Sequence, residues 1–245
     1  KNQIYEIPVQ GGKQNKDKKL LFKILDLMSK NEFTKNSIVI SMGGGVVGDV
    51  ASFAAALYMR GVYYFHIPST MTSILDSCIG GKTAINYYNK INLLGTYYHP
   101  YRVYLYHDII KLLPRREYYS GFAEAIKCGI IKKGKILKLL NEKFSKIQSR
   151  DFNILKKICN LVLRTKISFF INDVREKNKR LMLNFGHTFA HAIEMASSLK
   201  NKYQINHGEA VAIGIICEMK YANVNRNYIN YIENTISKYG LPKKA

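Results

Sequence analysis

Residues 37–49 read S-I-V-I-S-M-G-G-G-V-V-G-D, an apolar run that ends in a glycine cluster and resumes as small and apolar residues as far as Met59. Few arrangements accept that order. Ser37 to Met42 is short and apolar enough for a buried parallel strand, and Val46 to Met59 is apolar all round, as suits a helix packed on a sheet. Gly43, Gly45 and Gly48 satisfy G-x-G-x-x-G at the junction. Glycines there let the backbone approach a pyrophosphate, while the helix N-terminus offers unpaired N–H groups. The acidic residue that ordinarily closes the next strand is missing, because Val62 to Ile67 runs into Pro68. The pattern therefore predicts a phosphate cradle rather than the ordinary dinucleotide fingerprint, with a tight turn as the alternative. Asp49 either meets a ribose or nicotinamide or caps the helix.

Val103 to Tyr106 reads as a third strand, and from Pro114 the pattern turns helical. Apolar periodicity predicts helices over Glu117–Lys133, Lys135–Lys146, Asn153–Asn172, Leu183–Leu199, Glu209–Ala222 and Tyr228–Tyr239. The expected fold is α/β: a Rossmann-like parallel-sheet nucleotide-binding domain over 1–114, then an all-helical metal- and substrate-binding domain over 115–245. A ligand cleft is expected between them, since domain interfaces favour such sites. Ile4 to Pro8 reads as a strand already under way in a chain that does not start with Met, which predicts a fragment.

The 245 residues, 47% of them hydrophobic, suffice for one sizeable core or two smaller ones. No run of about 18 apolar residues predicts a membrane span, and the first residues carry no secretory signal. Cys78, Cys128, Cys159 and Cys217 show no CxxC spacing, which points to buried thiols in a reduced, cytoplasmic protein. The net charge of +21 raises the question of nucleic acid. The basic residues are spread over Lys13–Lys23, Lys127–Lys143, Lys156–Lys166 and Arg175–Arg180 rather than drawn into one stripe. A solvated basic surface that attracts small anions is the expectation, with no specific nucleic-acid site.

Asp76 to Asn86 reads DSCIGGKTAIN. Its Gly-Gly-Lys-Thr resembles part of a P-loop, but the first glycine of that motif is absent, so nucleoside-triphosphate hydrolysis is rejected. Lys82 on a glycine turn remains as a point charge for a phosphate, or as a surface turn. Glu124 and Lys127, three apart in the apolar GFAEAIKCG, share a helix face as an internal ion pair or part of a site. His187 and His191 lie four apart in NFGHTFAHAIE, with Glu194 on the same face. Two imidazoles aimed one way suit metal binding or acid–base work, and spacing alone pairs His187 with His191. His207-Gly208-Glu209 adds a third imidazole at a helix start.

Taken together, GGGVVGDVASFAAALYMRG, IPSTMTSILDSCIGGKTAIN, GFAEAIKCGII, LNFGHTFAHAIE and HGEAVAIGI resemble the 3-dehydroquinate synthase family in order and nearly in spacing, across residues 34–242. That resemblance implies NAD and one divalent ion, zinc or cobalt, held by Glu124, His187 and His207. His191 then serves catalysis instead of ligating. Lys127, Lys166 and Asn184 join it as catalytic residues, while Arg60, Asp76, Lys82, Asn92 and Arg180 bind substrate. Gly43, Gly44, Gly45, Asp49, Ser69 and Thr70 hold the dinucleotide. The implied substrate is a phosphorylated keto acid, 3-deoxy-arabino-heptulosonate 7-phosphate, which is cyclised to 3-dehydroquinate with loss of phosphate in the shikimate pathway. Arg60 reaching a neighbouring subunit's substrate implies a homodimer. The alternatives are a related cyclase acting on glucose 6-phosphate and an inactive remnant. Departures fall at Lys13, where the family has Glu; at Ile91, where it favours Lys; and at Ser69, where Thr is usual. The family's opening α/β units and final helical segment are also absent.

Overall fold

Helix α1 (Lys18–Lys30) starts where Asp17, in extended backbone, accepts a hydrogen bond from Leu20 N. Its apolar positions bury Leu21 and Met28, although lysines crowd its other faces. The computed structural model describes residues 3–88, 90–199 and 205–244, apart from the side chains of Lys13, Ser198 and Leu199. The expectation at Lys13 thus concerns a side chain outside the described residues. The chain divides into one unit of Lys1–Ser69 with Ser77–Tyr106 and another of Thr70–Asp76 with His107–Ala245.

In the first unit α1 is followed by β1 (Ile38–Gly43), α2 (Gly45–Leu57), β2 (Tyr63–Pro68), β3 (Lys82–Tyr87), β4 (Lys90–Tyr97) and β5 (Arg102–Val103). A parallel sheet runs in the order β1-β2-β5, with Ile38 opposite Tyr63 and Phe65 opposite Arg102. α2 covers one face: Val50, Phe53 and Ala54 pack with Leu21 and Ile85, and Ala51 and Ala55 with Met28, Val62 and Tyr64. On the other face Ile38, Ile40 and Met42 are exposed, Met42 by 66%. The expected fully buried strand is therefore half-buried, because the described residues place a helix on one side of it only. β3 and β4 form an antiparallel hairpin with Lys82 opposite Tyr97. Two strand expectations change. Ile4–Pro8 is irregular, since no described segment pairs with it, and the third strand shrinks to Arg102–Val103.

The second unit is helical: α3 (His107–Leu112), α4 (Arg115–Ser120), α5 (Phe122–Ile131), α6 (Lys135–Glu142), α7 (Phe144–Gln148), α8 (Phe152–Phe170), α9 (His187–Leu199), α10 (His207–Tyr221) and α11 (Arg226–Lys238). α10 is buried almost throughout, from Gly208 to Ile216 and again at Met219. Burial of a side chain such as Ile126 or Leu140 contributes about 1.5–3 kcal/mol. The segment Thr70–Asp76 belongs to this core through Met71, Ile74 and Leu75. The helix expected over Glu117–Lys133 breaks at Gly121, where a Cβ would lie 2.5 Å from the carbonyl carbon of Met71. The one expected over Leu183–Leu199 begins as a 3-10 turn, Lys179–Asn184, before α9.

Candidate active site

Glu124 lies on the inward face of α5, fully buried. His187 opens α9 and His207 opens α10, so both imidazoles come from first helical turns and reach the same carboxylate. Glu124 Oε1 is 3.7 Å from His187 Nε2 and 3.4 Å from His207 Nε2. The ligand atoms of the three residues lie within 4.8 Å of one another. Donors about 2.0–2.2 Å from a tetrahedral zinc ion stand roughly 3.3–3.6 Å apart, close to the two carboxylate–imidazole distances. Neither oxygen of Glu124 receives a well-aligned hydrogen bond. The Lys127 ammonium stands beside Oε2, so the acceptor left for a further cation is Oε1, which faces the two imidazoles. One carboxylate and two imidazoles also form the donor set of catalytic first-row metal sites, which leave positions open for substrate. The residues fit a divalent ion. His191, one turn along α9, has its ring 5.5 Å from that of His187 but lies outside this cluster.

Fixed charge surrounds the cluster. Lys127 Nζ stands 2.5 Å from Glu124 Oε2, and both side chains are buried. Burial pushes the Glu124 carboxyl up, but Lys127 and the two imidazoles outweigh it and hold it well below the usual carboxylate range. Burial would lower the Lys127 ammonium, yet Glu124 and Asp76 raise it overall. Lys166, buried on α8, pairs with the Asp76 carboxylate and donates to Asp76 O at 2.6 Å. Burial and Glu124 act to raise the Asp76 carboxyl, and Lys166 with Lys127 brings it below its ordinary value. Arg180 is buried, donates from Nη1 to Val174 O at 2.7 Å and stacks over Phe170. Asn184 Nδ2 donates to Glu176 Oε1 at 2.7 Å. One unit thus holds Asp76, Glu124, Lys127, Lys166, Arg180, Asn184, His187, His191 and His207.

The other predicted residues sit in the first unit, except Thr70. α2 starts at Gly45, and its cap, Gly44, makes no side-chain hydrogen bond to the first-turn N–H groups. That leaves a bare helix N-terminus suited to a pyrophosphate. None of Gly43, Gly44, Gly45 and Gly48 has a positive φ, so what glycine offers at Gly43 and Gly48 is clearance. A Cβ on Gly43 would meet Val47 at 2.5 Å, and one on Gly48 would meet His66 at 3.0 Å. Asp49 does not cap α2; it pairs with the buried Lys16, which also donates to Asn92 Oδ1 at 2.5 Å. Ser69 N donates to Gly43 O at 2.9 Å, tying the end of β2 to the glycine turn. Thr70 N donates to Ser73 Oγ at 3.1 Å. Lys82 is exposed and opens a strand, not a helix, which agrees with the rejection of a P-loop. Gly80 (φ 95°) and Gly81 (φ 67°) before it require glycine. Arg60 is exposed at a corner where Met59 (φ 48°) and Arg60 (φ 61°) are both left-handed.

Sequence reasoning gave no role to Glu209 or Glu218, and read Lys16 only as the end of the Gly12–Lys16 stretch that matches a cofactor-contacting run of the family. Glu209 completes a capping box with Asn206 and receives a two-point contact from Arg116, 2.7 Å at each oxygen. Asn206-x-x-Glu209 was a readable signal for the start of α10. For Glu218 no local pattern existed, because its partner is far away in sequence, and the pairing of Lys16 with Asp49 was hidden for the same reason.

Against known proteins, residues 6–120 match the family 3-dehydroquinate synthase N-terminal, and residues 121–245 match 3-dehydroquinate synthase C-terminal. The chain is similar to a 3-dehydroquinate synthase of Clostridium tetani, 38% identical over 98% of this chain and 65% of that protein. It therefore spans slightly less than two thirds of that relative's length. Among solved structures, a 2-deoxy-scyllo-inosose synthase complexed with carbaglucose-6-phosphate, NAD+ and Co2+ is 26% identical, TM-score 0.82, covering 96% of this chain and 64% of that one. ValA, a 2-epi-5-epi-valiolone synthase from Streptomyces hygroscopicus subsp. jinggangensis with NAD+ and Zn2+ bound, shares the fold at 24% identity, TM-score 0.89, over 97% of this chain and 67% of that one. With both family matches in order along nearly all its length, the chain belongs to the 3-dehydroquinate synthase family.

Proposed function

We propose that the protein is a 3-dehydroquinate synthase, a phosphate-eliminating carbon–oxygen lyase that uses NAD and one zinc or cobalt ion. Its substrate is 3-deoxy-arabino-heptulosonate 7-phosphate and its product 3-dehydroquinate. The observation that carries this reading is the buried Glu124–His187–His207 donor set in a chain of this family. When bound, the dinucleotide supplies reversible redox chemistry at a substrate hydroxyl, and the ion supplies Lewis acidity there. Lys127, Lys166 and Arg180 provide fixed positive charge for an anionic substrate; the last two are only 6% and 4% exposed and so are held without much side-chain freedom. Asp76 and Asn184 accept from and donate to its hydroxyls. His191, exposed on α9, takes up and returns a proton at a substrate oxygen. Gly43, Gly44, Gly45, Asp49, Ser69 and Thr70 hold the dinucleotide, and Lys82 and Asn92 the substrate's anionic groups. Arg60 extends to a neighbouring subunit in a homodimer. Four free thiols suit a cytoplasmic setting.

The test is phosphate release by the purified protein, with and without NAD and after chelation. Release from the keto acid phosphate, lost when either NAD or metal is withheld, is the expected result. Turnover confined to glucose 6-phosphate would move the protein to the other sugar-phosphate cyclases, and no release from either substrate would support a remnant. The 38% identity to a 3-dehydroquinate synthase, against 26% to the inosose synthase, favours the keto acid.

A further inference from the structure

The two histidines of the cluster stand on different helices; α9 supplies a carboxylate to the histidine of α10, and α10 supplies one to the backbone N–H just before the histidine of α9. Glu194 lies two turns along α9 from His187, with its side chain only 4% exposed. Its Oε1 is 3.1 Å from Nδ1 of His207, the first residue of α10. Glu218 lies near the far end of α10, and its Oε2 accepts from Gly186 N at 2.7 Å, immediately before His187. Gly186 has φ 82°, and a Cβ there would meet Ile215 Cγ1 at 2.9 Å. A Cβ on Gly214 would fall 2.0 Å from Gly186 O. The start of α9 is thus pressed directly onto α10 where Glu218 holds it.

We propose that Glu194 and Glu218 are positioning residues that cross-brace the two imidazoles, so that both Nε2 atoms stay aimed at the Glu124 carboxylate. The proposal rests on reading Glu124, His187 and His207 as a metal site. With Nδ1–H of His207 donated to Glu194, the Nε2 lone pair faces outward as a ligand, and turning the ring would forfeit the hydrogen bond. A carboxylate behind an imidazole also makes it a stronger base towards a metal. On the other side His187 Nδ1 lies 3.3 Å from Phe185 O, so the backbone that orients this ring is the same stretch that Glu218 pins through Gly186. Sliding one helix along the other would break both braces together, which makes the ligand pair a single preorganised element.

The experiment measures zinc affinity by chelator competition and the visible absorption of the cobalt-loaded protein. It compares the parent with Glu194→Ala, Glu194→Gln, Glu218→Ala and Glu218→Gln, with His207→Ala as reference. Glu194→Ala should bind zinc about 10–100-fold more weakly and shift the cobalt bands, while Glu194→Gln recovers part of the loss by accepting from Nδ1–H without the charge. Glu218→Ala should also weaken binding, and Glu218→Gln should restore it, because its amide oxygen still accepts from Gly186 N. Where an alanine variant does not fold by circular dichroism, methionine at that position keeps the length, removes the acceptor and takes its place. Parent affinity and an unchanged cobalt spectrum in the folded Glu194 and Glu218 variants would overturn the proposal. A parent that binds no zinc, or a His207→Ala protein that binds it as tightly as the parent, would instead overturn the metal reading beneath it.

Discussion

Burial and the Lys127 ammonium bring His187 down to about 4, whereas the carboxylates of Glu124 and Glu194 outweigh burial at His207 and raise it to about 9. A metal can replace only a proton that leaves, so near neutral pH His207 is the ligand that must deprotonate. Zinc affinity should therefore tighten as pH rises from about 6.5 to about 9, by at most about tenfold per unit, and level off above. The metal-free protein should behave in the opposite sense. A raised histidine adds stability fully present below its unfolded value near 6.5 and lost as pH climbs through about 9. Chelator competition and thermal melts across that range check both, and an affinity flat with pH would contradict the assignment. The histidines should also separate by substitution. His187→Ala and His207→Ala should abolish stoichiometric metal, whereas His191→Ala should keep it and lose about a hundredfold or more in turnover. Elemental analysis beside activity decides; metal lost from His191→Ala and kept in His207→Ala would restore the simple i,i+4 pair.

Between helices, the site depends on how closely backbones approach. Gly208 lets the start of α10 touch α4, where a Cβ would lie 1.9 Å from Ser120 O, and Gly214 lets α9 cross α10. Both contacts are with backbone, which cannot swing aside as a side chain can. Gly214→Ala should destabilise the protein by about 1–3 kcal/mol and weaken metal binding, because the helices must part to admit the methyl group. Denaturant unfolding and zinc titration on the same preparation test this, and a loss of stability at unchanged affinity would show the crossing to be structural only. The same scale explains what the pattern along the chain concealed. Leu20, Leu21, Ile24, Leu25 and Met28 follow the helical period behind the Asp17 cap, so α1 was readable, but its lysines made the stretch look like solvated charge. The β3–β4 hairpin had no such cue, since its turn between Tyr87 and Lys90 carries no glycine.

Over the whole molecule the net charge of +21 sets up a positive field without concentrating it in one sequence stripe. An anionic substrate should be drawn in faster at low ionic strength, so kcat/KM should fall as salt shortens the Debye length to about 8 Å near physiological strength. Nucleic acid should bind weakly, without sequence preference, and be released steeply as salt rises from about 50 to about 200 mM. Filter binding over that range checks the second expectation; tight, sequence-selective binding at physiological salt would contradict it. No helix among the described residues is long and apolar enough to cross a membrane.

Local chemistry settled a good part of this protein. The apolar run into Gly43–Gly45 specified a strand, a bare turn and a helix start, and a side chain at Gly43 would clash with Val47. The i,i+3 spacing put Glu124 and Lys127 on one face, as a helix must. Spacing alone paired His187 with His191, whereas the folded chain groups His187 with His207. Residues four apart on a helix share a face, but their ring nitrogens need not converge, whereas α10 brings His207 Nε2 to 3.4 Å from Glu124 Oε1. Motif resemblance named that partner, and in the folded chain Glu194 stands behind it while Gly186 and Gly214 bring α9 onto α10. The pairings of Lys16 with Asp49 and of Lys166 with Asp76 likewise join residues distant in sequence. Hydrophobic period and cap chemistry act over a turn or two. Contacts between elements arise only when buried surfaces, chosen by volume and clearance, bring remote side chains within reach.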